Sequence, residues 1–215
     1  MKLLTALSVL LFLSAARSQE TEYGLKAPAG WGGETISLPP GFARDMSLKG
    51  VEHIRFAPGM MDADSATFFS YAFVFELPRH KGAESETNGP AASLNQGVLT
   101  EEFLKYYRGL CKAVLGPAAT NVDTSKFTCV LKPIVPTTKT NEQSKKVTRY
   151  SAELNWVEPF ATKKPQKLNI EIRVWSDNRL NYVFACVSPQ NRDAAIWKQL
   201  RQIEDDYIKN AASKD

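Results

Sequence analysis

The stretch "ATFFSYAFVFEL", residues 66–77, decides the fold. Successive side chains of a β-strand point to opposite faces of the sheet, so every second residue shares a face. Here one face holds four aromatic residues and a leucine, which are Phe69, Tyr71, Phe73, Phe75 and Leu77. Such an aromatic face must be removed from water. The pattern therefore predicts a strand from about Ala66 to Leu77 with one side in the hydrophobic core.

Six further segments show strand-like alternation. Two precede the aromatic strand, "ETISLPP" at 34–40 and "VEHIRFA" at 51–57. Four follow it: "KFTCVLKPIV" at 126–135, "VTRYSAELNWV" at 147–157, "KLNIEIRVW" at 167–175 and "LNYVFACV" at 180–187. The last is apolar on both faces, which is typical of an interior strand. Short connections join the last three in order, so we expect them to form an antiparallel meander.

Two segments have helical spacing of their apolar residues. "TEEFLKYYRGLCKAVLGP", residues 100–117, begins with a residue that can cap a helix and ends with Gly-Pro. A second amphipathic segment runs from about Arg192 to Lys209. The sequence thus predicts an α+β fold: an antiparallel β-sheet of about six to seven strands, ending in a three-stranded meander, with two helices packed on one face. This order of elements resembles the fold shared by the photosystem oxygen-evolving subunit PsbP and a Ran-binding protein. A shared fold implies no function.

The first residues, "MKLLTALSVLLFLSAARSQE", are typical of a signal peptide, with a positive start, a short apolar stretch and small residues after it. The apolar stretch is much shorter than the roughly 20 residues that cross a bilayer. We therefore expect a signal peptide at 1–18, a single α+β domain at 19–215, and a secreted or periplasmic protein with no membrane span after cleavage.

The small net charge and the absence of several known motifs argue against several functions. The formal net charge is only +4 in 215 residues, which gives no reason to expect a nucleic-acid partner. HExxH, GxSxG and glycine-rich phosphate loops are absent from the sequence. We therefore expect no cofactor and name no catalytic residue. Whether the protein is an enzyme stays open, and the balance favours a protein that is not one.

Asp62 and Asp64 precede the aromatic strand and form the one candidate metal site. A loop of the EF-hand type is excluded, because Ala66, Thr67 and Phe73 occupy positions that need a ligand, a glycine and a glutamate. A looser site could combine both aspartates with His53, as in a metal-assisted hydrolase. The alternative interpretation is a turn in which the aspartates bind their own backbone.

Polar residues of the meander should share one sheet face. Two come from the strand at 147–157 and three from the next strand, namely Arg149, Glu153, Glu171, Arg173 and Trp175. They could be an ordinary solvated face, since opposite charges are common across antiparallel strands. They could also be a platform for a protein, peptide or glycan partner, with Trp175 as its exposed anchor. Our leading hypothesis is accordingly an exported, non-enzymatic binding protein, and the alternative is the hydrolase centred on His53.

The three cysteines leave two interpretations open. In an oxidising compartment Cys111 and Cys129 could form a disulfide, with Cys186 left free. Alternatively, each cysteine is a small buried apolar residue.

Overall fold

The computed structural model describes residues 24–79, 94–135 and 147–212 of the chain. Within these residues seven strands form one sheet in the order β1-β2-β3-β7-β6-β5-β4, with all neighbours antiparallel. The strands are Gly32–Leu38 (β1), Gly50–Phe56 (β2), Tyr71–Pro78 (β3), Thr128–Pro133 (β4), Thr148–Val157 (β5), Pro165–Ser176 (β6) and Leu180–Ser188 (β7). The predicted α+β class, the seven strands and the meander β5-β6-β7 are confirmed.

Two α-helices pack against this sheet in the described part of the chain. Helix α1, Gln96–Leu115, is capped by the side chain of Asn95, which accepts a hydrogen bond from the Val98 N–H. It ends at Gly116, whose left-handed backbone suits a residue without a Cβ. Helix α2 is Ala195–Ala212. Neither helix is long and apolar enough to cross a membrane.

The helices lie on opposite faces of the sheet, and the expectation that both pack on one face is wrong. The aromatic side of β3, with Phe73 and Phe75, shares a core with α1. The other side of β3, with Ala72 and Val74, shares a second core with Trp197 and Leu200 of α2. Both faces of β3 and β7 are apolar, so each needs its own covering layer.

The aromatic strand begins later than its sequence pattern predicts. Residues 57–70 form a loop, and Phe69 has a left-handed backbone (φ 47°) that turns the chain into β3 at Tyr71. Phe69 is still buried and belongs to the core under α1. The predicted signal peptide at 1–18 lies outside the described residues.

Candidate functional site

The predicted polar face of the meander is only partly covered by α2. This helix packs over β7 and β3, whereas the strands at the far edge of the same face reach solvent. Glu153 on β5 has a side chain 54% exposed, and Val130 on β4 is 51% exposed. We call this uncovered area the open face and define it by Val130, Lys132, Ile134, Arg149 and Glu153.

A cleft of about 140 Å³ lies where the open face meets α2. Its polar lining consists of three guanidinium groups and two carboxylates. The lining residues are Ile134, Arg149, Tyr150, Glu171, Ile172, Arg173, Arg201 and Glu204. Arg149, Glu171 and Arg173 were predicted as binding residues from the sequence, and the structure brings all three into this cleft.

The two arginines of the sheet lie directly opposite each other. Arg149 of β5 is the register partner of Arg173 of β6. The Arg149 carbonyl accepts a hydrogen bond from the Ile134 N–H at 2.9 Å, so its main-chain polar groups point to β4 and away from Arg173. The arginine pair is therefore of the non-hydrogen-bonded kind, in which side chains come closest. Like charges directly opposite each other destabilise a strand pair.

Glu204 of α2 is the counter-ion inside the cleft. It is 3% exposed, and its Oε1 lies 3.2 Å from Arg173 Nε. This is an ion pair without hydrogen-bond geometry, because the same Oε1 has no hydrogen-bond partner. Burial raises the pKa of Glu204 to about 7, although Arg173 opposes the shift. The Glu204 carboxyl group is therefore only partly ionised near neutral pH.

A second ion pair joins α2 to the sheet at the rim of the cleft. Arg201 donates to both oxygens of Glu171, at 2.9 and 2.7 Å. These hydrogen bonds raise the pKa of Arg201, and such a bidentate geometry fixes both side chains. Sequence reasoning missed Arg201 and Glu204, although both flank the apolar stripe of α2 at Leu200 and Ile203.

Trp175 is not an exposed anchor. It is 4% exposed and stacks on Tyr182 with ring centroids 4.9 Å apart. Tyr207 of α2 lies edge-on at 6.2 Å. Tyr182 and Tyr207 therefore cover Trp175, whereas Glu171 and Arg173 of the same strand line the cleft.

Glu153 lies on the open face away from the cleft. Its carboxylate is 3.9 Å from Lys167 Nζ, and both side chains are about half exposed. An exposed ion pair of this length contributes little to stability, so Glu153 is accessible to a partner.

The free edge of the sheet at β4 is protected against pairing with another strand. The hydrogen bond from Ile134 N sets the register, so the main-chain groups of Leu131 and Pro133 point outward. Pro133 has no N–H, and the Leu131 carbonyl already accepts a hydrogen bond from Gln96 Nε2 at 3.0 Å. A partner is therefore expected to contact the face of the sheet and not to extend its edge.

His53 lies on the α2 side of the sheet, between β1 and β3. Its Nδ1 is 3.0 Å from the hydroxyl of Thr35, and its Nε2 is 3.7 Å from Oε2 of Glu76. Tyr207 of α2 donates to the other Glu76 oxygen at 2.5 Å. Burial would raise the pKa of Glu76, but the contacts from His53 and Tyr207 outweigh it and lower the pKa.

The predicted aspartate pair lies in the loop before β3. Asp62 Oδ1 accepts a hydrogen bond from the Asp64 N–H at 3.0 Å, and both residues are exposed. This is the local turn that the alternative interpretation predicts. The contacts of His53 are with Thr35 and Glu76, and within the described residues no group of three or more histidine, cysteine or acidic side chains could hold a metal.

The structure supports the interpretation that each cysteine is a small buried apolar residue. Cys111, Cys129 and Cys186 are all buried and free, so the possible disulfide between Cys111 and Cys129 is not formed. Burial raises the pKa of the Cys129 thiol to about 12, which makes it a poor nucleophile.

Comparisons with models of known protein families, with curated proteins and with solved structures gave no match.

Proposed function

We propose that this is an exported, non-enzymatic binding protein whose open face holds a segment of a protein or peptide partner. The observation that carries the proposal is the cleft with Arg149, Arg173 and Arg201 at the border of an uncovered sheet face. Arginine is enriched at protein interfaces because its planar group combines charge with contact area. The export of the protein rests on the predicted signal peptide.

Exposed aliphatic side chains of β4 and the two residues after it support a peptide over a glycan. The exposed fraction is 51% for Val130, 44% for Ile134 and 80% for Val135. Glycan sites commonly offer an exposed aromatic ring, and the large exposed apolar residues of the described chain are methionine, valine and isoleucine. A peptide with apolar and charged side chains complements such a surface.

The proposal can be tested by selecting binders from a random library of displayed peptides on the purified protein without residues 1–18. We expect the selected peptides to compete with one another and to lose binding to the variants Val130→Asp and Glu153→Arg. Arg44→Gln is the control, because Arg44 is exposed in the loop between β1 and β2, towards the opposite edge of the sheet. If no peptide is enriched, or if the open-face variants bind like the wild type, the proposal fails.

A second candidate function, a hydrolase centred on His53, is supported by the order of groups around that residue. The hydroxyl of the exposed residue Thr35 lies 3.0 Å from His53 Nδ1. Oε2 of Glu76 lies 3.7 Å from His53 Nε2 on the other side of the ring. A nucleophile, a base and an orienting carboxylate follow the same order in hydrolytic triads. In this candidate Glu76 takes the supporting role that the sequence suggested for Asp62 and Asp64.

Hydrolysis of p-nitrophenyl acetate tests the second candidate. An enzyme would show a saturable rate that His53→Ala and Thr35→Val both abolish, while Asp62→Asn leaves it unchanged. A rate equal to that of the buffer, or one that survives Thr35→Val, removes the hydrolase from consideration.

A further inference from the structure

We propose that the outer edge of β1 binds an extended segment of a protein partner as an additional antiparallel strand, with an aspartate or glutamate opposite Gly33 that pairs with Arg55. Strands β1 and β4 are the two edges of the sheet. The open face lies at the β4 edge, so the edge of β1 is a separate surface and the inference goes beyond the proposed function.

The first argument is the direction in which the main-chain groups of β1 point. The Ala57 N–H donates to the Ser70 carbonyl at 3.1 Å, one position beyond the end of the β2-β3 pair and in the same register. Main-chain groups of successive residues in a strand point alternately to its two neighbours, so those of Ile54 point to β1. Ile54 is the register partner of Glu34, and the main-chain groups of Glu34 therefore point back to β2. The residues of β1 whose N–H and C=O groups point away from the sheet are Gly33, Thr35 and Ser37.

The outer edge of β1 is open. In the described part of the chain no hydrogen bond occupies these outward main-chain groups, and Thr35 and Ser37 are exposed. The strand contains no proline or lysine, and its register with β2 has no bulge. Edge strands are commonly protected by such features, and β4 is protected by Pro133 and by the contact of Gln96. Main-chain hydrogen bonds along an open edge supply affinity for a peptide that adds as a strand.

The second argument is the guanidinium group beside this edge. Arg55 of β2 is the register partner of Gly33. Its Nη1 occupies the place that a Cβ of residue 33 would take, and it donates to the Ile54 carbonyl at 2.7 Å. The guanidinium group therefore lies over Gly33, on the same side of the sheet as His53. A larger residue at position 33 would displace it from the edge.

Arg55 has no counter-ion among the described residues. The hydrogen bond to the Ile54 carbonyl is its polar contact there. Burial lowers the pKa of Arg55, and no nearby carboxylate opposes this shift. A residue opposite Gly33 in an added strand would have its Cβ roughly 4.5–5.5 Å from the position of a Cβ on residue 33, on the same face. A carboxylate at that residue reaches Arg55 and accepts a charge-assisted hydrogen bond.

The same geometry favours a partner's segment over a second copy of this chain. Antiparallel pairing of β1 with β1 of a second copy would set outward-pointing residues opposite one another. The residue opposite Gly33 would then be glycine, threonine or serine, and none of these has a charge. Such a dimer would leave Arg55 without a carboxylate, which an acidic segment supplies.

The test uses two synthetic peptides, blocked at both ends, with the sequences Ser-Thr-Val-Thr-Lys-Glu-Ser and Ser-Thr-Val-Thr-Lys-Gln-Ser. In the antiparallel register the sixth residue of each lies opposite Gly33 and the lysine lies opposite Glu34. Each peptide is titrated into the ¹⁵N-labelled protein, and the amides of Thr35 and Ser37 and the Arg55 Nε–H are followed by NMR. We expect saturable shifts of all three signals. The glutamate peptide should bind about tenfold more tightly than the glutamine peptide, which lacks the charge-assisted hydrogen bond.

Two N-methylated forms of the glutamate peptide test the strand geometry. A methyl group on the amide of the fourth residue removes an N–H that faces Thr35, whereas one on the third residue removes an N–H that points to solvent. We expect the first form to lose binding and the second to bind like the unmodified peptide. Equal binding of the two forms would mean that the peptide does not extend the sheet and would overturn the inference.

Variants separate the Arg55 contact from general attraction. Arg55→Gln should weaken the glutamate peptide about tenfold and leave the glutamine peptide unaffected. Arg179→Gln removes the same charge from an exposed residue in the turn between β6 and β7 and should affect neither peptide. Comparing both peptides on each variant cancels any change in the stability of β1. Equal weakening by the two variants would mean diffuse attraction and would overturn the inference.

Two further outcomes contradict the inference. If the protein alone sediments as a dimer in which the Thr35 and Ser37 amides are protected from hydrogen exchange, a second copy occupies the edge. If neither peptide binds, the edge does not accept an acidic strand. The proposed function is tested separately, because Val130→Asp and Glu153→Arg alter the open face and leave β1 unchanged.

Discussion

Arg149 faces Arg173 across β5 and β6, and Arg173 also forms ion pairs with Glu204 and Asp205 of α2. Arg173 is thus both half of a guanidinium pair and a link between the sheet and the helix. Its side chain is 14% exposed and that of Glu204 is 4% exposed. Arg173 is therefore expected to contribute to stability.

Arg173→Gln should lower the free energy of unfolding by about 3 kcal/mol at pH 8, because it leaves the buried Glu204 without this partner. The loss should shrink as the pH falls towards 4.5, because Glu204, with a pKa of about 7, is protonated in the folded chain there. Arg44→Gln, at an exposed arginine between β1 and β2, should change stability by less than about 0.5 kcal/mol. Urea unfolding at both pH values measures this, and equal losses for the two variants would contradict it.

Glu52 on β2 should make the protein less stable as the pH rises. It is fully buried, Tyr106 donates to its Oε1 at 3.1 Å, and its Oε2 has no hydrogen-bond partner. Burial raises the pKa of Glu52 to about 8. The folded chain therefore binds more protons than the unfolded chain between pH 4.5 and 8, and stability falls across that window.

Glu52→Gln should remove this dependence. We expect nearly equal stability of variant and wild type near pH 4.5, and a variant roughly 4–5 kcal/mol more stable at pH 9. Chemical unfolding at the two pH values checks the prediction. Glu101→Gln is the control, since the Glu101 side chain is 70% exposed. A variant that is less stable at pH 9 would mean that the ionised Glu52 is stabilised by its surroundings.

The thiols should be unreactive in the folded protein. Burial raises the pKa of Cys111, Cys129 and Cys186, so little thiolate forms at neutral pH. We expect Ellman's reagent to detect no thiol in the native protein and three in guanidinium chloride without a reductant. One detected thiol after unfolding, with a mass two daltons lower, would reveal the disulfide.

Trp175→Ala should destabilise the protein by about 3–5 kcal/mol, because it removes a buried ring stacked on Tyr182. Val130→Ala on the open face should change stability by less than about 0.5 kcal/mol. Thermal and urea unfolding compare the two. A small effect of Trp175→Ala would mean that this ring is not part of the second core.

The alternation of apolar residues was sufficient to predict the strands and their antiparallel meander. It was not sufficient for the helix positions, because it identified the aromatic side of β3 as buried but did not show that Ala72 and Val74 on the other side are covered by α2. The apolar residues on both faces of β7 were the available signal that the sheet is covered on two sides. The residue pattern of a single strand shows how apolar each sheet face is. It does not show which helix, distant in sequence, covers that face.

The candidate site could be predicted only in part, because local patterns do not show which distant segments contact each other. Alternation placed Arg149 and Arg173 on one face, but only strand register shows that they are directly opposite each other. Trp175 was misjudged because exposure depends on where α2 ends over β6. Arg201 and Glu204 line the cleft only because α2 packs on the sheet. The sequence pattern of the strands does not predict this packing.

The strand order also governs when the protein can fold during its synthesis. Strand β3 pairs with β2 on one side, and its other neighbour is β7, with Tyr71 opposite Val187. Nearly the whole chain must therefore leave the ribosome before the centre of the sheet closes. Until then the apolar faces of β3 are incompletely covered, which is the condition in which nascent chains need chaperones. A stop codon placed before β7 should consequently yield an insoluble fragment and not a smaller folded unit.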